Sequence, residues 1–71
     1  MQITYDKGPY HLTITEKRAI KAIFASGKPV GYYYKIGRKT YYLVHTPKGW
    51  QVTIHENHSQ TDYRTVYFHI N

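Results

Sequence analysis

Apolar positions along this chain follow two different periods. Between Glu16 and Ser26, Ala19, Ile20, Ile23 and Phe24 recur at the three- and four-residue spacing that lines one face of a helix. Thr15 is placed to cap such a helix, and Glu16 in its first turn suits the helix dipole. Ser26-Gly27 supplies the stop, with Pro29 just beyond. The pattern predicts a helix from about Glu16 to Ser26, burying Ile20, Ile23 and Phe24 and exposing Arg18, Lys21, Ala22 and Ala25, with Lys17 at the flank.

Beyond the helix the period drops to two. Val30 to Ile36, Thr40 to Thr46, Trp50 to Glu56 and Tyr63 to Ile70 each alternate as strands do. Gly37-Arg38 and Pro47-Lys48 are tight turns, whereas Glu56 to Asp62 is a longer polar loop. If both turns hold, Tyr34 opposes Tyr41, Tyr32 opposes Leu43, Val30 opposes His45, His45 opposes Trp50, Leu43 opposes Val52, and Tyr41 opposes Ile54. One face then carries Val30, Tyr32, Tyr34, Tyr41, Leu43, Trp50, Val52 and Ile54, joined by Val66, Phe68 and Ile70, and the helix covers it. The other face carries Tyr33, Lys35, Thr40, Tyr42, Val44, Gln51, Thr53 and His55, extended by Tyr63, Thr65, Tyr67 and His69. The first dozen residues read as a short hairpin, Gln2 to Tyr5 and Tyr10 to Thr13, turning at Asp6-Lys7-Gly8-Pro9. The expected fold is α+β: one domain over residues 1–71, with a single antiparallel sheet of four to five strands and one helix packed on one face. The last strand, ending Tyr67-Phe68-His69-Ile70, reads as an open sheet edge through which a homodimer could form.

Size and composition narrow the function. A chain of 71 residues buries about 60% of its unfolded surface, so its core is thin. The absence of cysteine excludes disulfide staples and thiolate metal sites. No signal peptide and no membrane-spanning run is visible, so a cytoplasmic protein is expected. The apolar arc of the helix is short and needed by the sheet, which argues against a membrane surface as partner. The net charge of +6 favours a polyanionic partner, and its distribution sharpens that preference. From Lys17 to His55 there is no Asp or Glu, and this stretch holds eight of the ten basic residues: Lys17, Arg18, Lys21, Lys28, Lys35, Arg38, Lys39 and Lys48. These are expected to merge into one positive field on the helix and the two hairpin tips.

Tyr33 and Tyr42, directly opposed beside Lys35, are expected to be exposed, where they could stack on bases, pair with each other, or line a protein interface. Catalytic readings have less support. His55-Glu56-Asn57-His58 lacks the i+4 histidine of a zinc-protease helix, and no phosphate loop is present, so neither a metal nor a cofactor is expected. His45 is expected to pack coreward near Trp50. His55, Arg64 and Tyr63 are the trio a metal-independent ribonuclease could use. The leading expectation is a non-enzymatic binding module that engages nucleic acid through its phosphates with little sequence specificity, alone or in a nucleoprotein complex. The rival is a small inhibitor from a virus or mobile element, of the anti-CRISPR or anti-restriction kind, that blocks a host or defence nuclease by binding an acidic or nucleic-acid-binding surface. On either reading, Arg38→Glu with Lys39→Glu is expected to abolish activity and leave the fold intact.

Overall fold

Thr13, two residues ahead of the expected cap, starts the helix in the computed structural model, which describes residues 2–6, 8 and 11–71. The Glu16 N–H donates to Thr13 Oγ1 at 3.1 Å, and the Thr13 N–H donates to Glu16 Oε1 at 2.8 Å. A cap at Thr15 would place Arg18 three residues on, and a guanidinium has no acceptor to complete this reciprocal box. Helix α1 (Ile14–Ala25) therefore starts two residues earlier than expected. It ends at Ser26, whose N–H donates to Ala22 O at 3.0 Å, and Gly27 then leaves the helix at a φ of +70°.

Five strands form one antiparallel sheet: β1 (Ile3–Tyr5), β2 (Tyr33–Ile36), β3 (Lys39–Thr46), β4 (Gly49–Glu56) and β5 (Tyr63–Ile70), in spatial order β1-β5-β4-β3-β2. With α1 on one face, the fold is α+β as expected. Both tight turns hold the expected register, with Tyr34 opposite Tyr41, Leu43 opposite Val52 and His45 opposite Trp50. Ala19, Ile20 and Ile23 of α1 pack on Tyr41, Leu43, Val52, Ile54, Val66 and Phe68. Each large member contributes about 1.5–3 kcal/mol through burial.

Among the described residues β1 pairs with β5, Ile3 opposite Ile70 and Tyr5 opposite Phe68, and not with a strand that follows it. That pairing sets Ile3 and Tyr5 against the core, which a free hairpin would not. Residues 11–13 are not a strand but lead into α1, and Lys7, Pro9 and Tyr10 of the expected turn and return strand lie outside the described residues. β5 is consequently an interior strand, and the homodimer edge expected there is covered. The edges are β1 and β2, three and four residues long, and β2 carries Lys35.

Residues 30–32 stand outside β2, although the alternation predicts a strand beginning at Val30. Gly31, at a φ of +87°, bends the chain out of the sheet even though its N–H still donates to Leu43 O at 2.7 Å. Tyr32 is thereby thrown outward, 61% exposed, rather than lying opposite Leu43 in the core. Val30 keeps its core contact.

Burial pushes the phenols of Tyr41 and Tyr5 above their ordinary 10.0; at Tyr41, Lys39 opposes that shift and Glu56 adds to it. The native state thus holds protons that the unfolded chain releases first. This contribution to stability is complete below about pH 10 and is lost as pH rises through the native values. Urea midpoints measured from pH 8 to pH 11 should decline only above about pH 10. A site-resolved titration should show the phenols of Tyr5 and Tyr41 ionising above pH 10; ionisation of either at the ordinary value would contradict its burial. Among the described residues no helix is long and apolar enough to cross a membrane.

Candidate nucleic-acid interface

Four charged side chains meet beneath the start of α1. The register sets Lys39 opposite Glu56 and Arg64 opposite Ile54, all on the face that α1 covers. Lys39 Nζ donates to Glu16 Oε2 at 2.7 Å and lies 3.3 Å from Glu56 Oε1. Arg64 donates through Nη2 to Glu16 and through Nη1 to Glu56 Oε1, the latter at 3.1 Å. Glu16 is fully buried, and its carboxylate closes the helix cap while holding both cations. Glu16, expected only as a first-turn acid suiting the helix dipole, is thus a buried counter-charge, and Lys39, expected as a phosphate contact, is bound to it. A signal was available: Lys39, Glu56 and Arg64 share parity with the core residues Tyr41, Ile54 and Val66, and a charge at such a position needs a counter-charge.

This cluster removes Lys39 from the exposed cations and alters the expected outcome of its reversal. Lys39→Glu would set a third carboxylate beside Glu16 and Glu56, so it reports on folding rather than binding. The cluster also separates the ribonuclease trio. His55 and Tyr63 oppose one another on the open face with ring centroids 5.3 Å apart, whereas Arg64 belongs to the helix-covered face and is tied to Glu16.

The remaining expected cations surround the molecule. Lys17 and Lys21 border β1, where Lys17 Nζ stands 5.4 Å from the Tyr5 ring centroid, and Arg18 is exposed on the same helix. Lys28 stands 5.1 Å over the Tyr34 ring, beside β2. Arg38 and Lys48 occupy the turns at opposite ends of β3, about 25 Å apart at strand rise. Screening at physiological salt acts over about 8 Å, so the two tips do not share one field. The single continuous patch expected from the sequence is therefore divided into a helix flank, two separate tips and the open sheet face. Among the described residues, none of Lys17, Arg18, Lys21, Lys28, Lys35, Arg38 and Lys48 is ion-paired.

On the open face, Tyr33 stacks on Tyr42 with ring centroids 4.6 Å apart and planes 23° apart; Tyr33 is 64% exposed, whereas Tyr42, also expected to be exposed, is half-buried beneath it. Tyr63 and Tyr67 are exposed on β5, and the hydroxyls of Thr53 and Thr65 lie 3.2 Å apart between these rings and the tyrosine pair. A groove of about 550 Å³ runs alongside, with Tyr33 and Lys35 on one wall, Thr40 and His55 beneath, and His58 to Gln60 on the other wall. That far wall was expected only as a polar loop. Asn57 and His58, at φ values of +50° and +59°, make a left-handed turn that brings His58 Nδ1 within 2.7 Å of Thr40 Oγ1. The His55 Nδ1–H donates to Ser59 O at 2.8 Å, which leaves Nε2 as the uncommitted nitrogen of that ring. At the other end of the sheet, His45 stacks on Trp50 at 4.6 Å, as its expected proximity implied, but it remains exposed rather than packed inward.

The fold and this face define a five-stranded antiparallel sheet with one helix-covered side and one open polar-aromatic side. Compared with known proteins, the chain matches no family model, no curated protein and no solved structure.

Proposed function

We propose that this chain is a non-enzymatic binding module for nucleic acid, gripping phosphates with little sequence preference. The observation that carries this reading is how the charge is divided. Glu16, Glu56, Lys39 and Arg64 neutralise one another within the fold, so the whole net charge of +6 falls on the rest of the chain. Exposed lysines and arginines without carboxylate partners release counterions when they meet phosphates, and that release drives sequence-independent binding.

The test is a salt series. Log affinity should fall linearly with log salt, by about 0.9 per phosphate contact on duplex and about 0.7 on single strands. Lys35→Glu with Arg38→Glu, two changes outside the buried cluster, should flatten that slope by at least one contact while the urea midpoint stays put. An affinity indifferent to salt would sink the proposal. So would the absence of any nucleic-acid complex, and capture of a single purified nuclease in its place would favour the inhibitor reading.

A further inference from the structure

We infer that the open sheet face takes single-stranded nucleic acid, with Tyr33 as the stacking platform and Lys35 as a phosphate contact at the mouth of the groove. This rests on the nucleic-acid reading above and specifies which surface and which strand state it uses. A base inside a duplex hides both its faces, so an exposed aromatic ring can stack only on an unpaired one. Reading a duplex through its major groove needs a helix or ribbon free to enter it. Here α1 is committed to the core through Ala19, Ile20 and Ile23 and is pinned at its start by the Glu16 cluster.

The exposed rings lie on the other side. Tyr33 is 64% exposed on β2, and Tyr63 and Tyr67 are 57% and 50% exposed on β5. Three strand spacings, about 14 Å, separate β2 from β5, and the Thr53 and Thr65 hydroxyls occupy the interval as hydrogen-bonding groups. Tyr33 is held by its stack on Tyr42, so ordering it on binding costs little. The groove beside it is large enough for a small ligand and presents one amine, two imidazoles and the Thr40 hydroxyl. Charge favours a phosphate there. Arg38 stands at the adjoining turn, Glu56 is turned to the covered face, and Asp62 is the acid on the neighbouring loop. A tyrosine-rich sheet face also suits a protein, and an acidic protein that binds this face in place of any oligonucleotide would overturn the inference.

Fluorescence anisotropy with labelled oligothymidylate and oligouridylate of about a dozen nucleotides, against a duplex of equal length, decides the matter. Single strands should bind more tightly than duplex, and the two oligomers report which sugar is preferred. Tyr33→Ala should weaken single-strand binding by between about 5-fold and about 150-fold, the range for one lost stack, and Tyr33→Phe should restore it. Lys35→Ala should reduce the single-strand salt slope by about 0.7. Duplex bound as tightly as single strands, with Tyr33→Ala behaving like the wild type and Lys17→Glu/Lys21→Glu abolishing binding, would overturn this inference and leave the nucleic-acid reading standing. Failure to bind any of the three would overturn both, as would self-association through this face that Tyr33→Ala disrupts in the absence of any oligonucleotide complex.

Discussion

Arg64→Met should lower the unfolding free energy by about 3–5 kcal/mol, the range for removing one partner from a buried ion pair. The substitution leaves the fully buried Glu16 carboxylate with Lys39 alone, and it strips Glu56 of its second cation. A domain of this size holds about 4–10 kcal/mol in total, so the loss is a large share. At about 4–8 °C per kcal/mol, Tm should fall by at least about 12 °C. Lys39→Met should cost much less, about 1 kcal/mol, because the lysine side chain is partly solvated and the guanidinium still bridges both carboxylates. Urea unfolding of the two variants gives the order directly. Equal losses would mean that Arg64 is not the principal counter-charge of Glu16.

The second large effect is expected at Phe68. Its ring is fully buried where three elements meet, 5.7 Å from Tyr5 of β1, 6.1 Å from Phe24 of α1 and 6.1 Å from Trp50 of β4. Phe68→Ala should cost about 3–5 kcal/mol through lost transfer and the cavity left behind. Its neighbour Tyr67 lies on the open face, and Tyr67→Ala should stay within about 0.5 kcal/mol. Adjacent residues with effects this unequal are the signature of a strand covered on one side only. Similar losses at both positions would show that the open face is itself buried, by a second copy or a partner.

Much of this fold was legible because its information is local. The two tight turns set the register of β2, β3 and β4, and alternation alone then assigns Tyr33, Tyr42 and His55 to the open face. The partner of β1 was not legible, since Ile3 and Tyr5 alternate equally well in a hairpin or beside a strand more than sixty residues away. Local pattern carries no record of such closure. The bend at Gly31 was signalled only by a glycine inside an otherwise regular run. The candidate surface was half legible. Residue types identified the cations, but a linear stretch without acids says nothing of Glu16 and Glu56 returning to it in space. Nor does it show that turns ten residues apart face opposite ends of the molecule.

The pairing of β1 with β5 brings the two ends of the described chain side by side. The Asn71 N–H donates to Gln2 O at 2.8 Å, and the Asn71 side-chain amide donates to Thr4 Oγ1 at 3.0 Å. In connectivity the domain is nearly a ring, closed by the pairing of greatest sequence separation in the sheet. Both ends leave the sheet on the side of the Pro47-Lys48 turn, away from Lys35, His55 and His58. Any segment joined before Gln2 or after Asn71, or any support to which the domain is tethered there, emerges from one corner and leaves the groove facing outward.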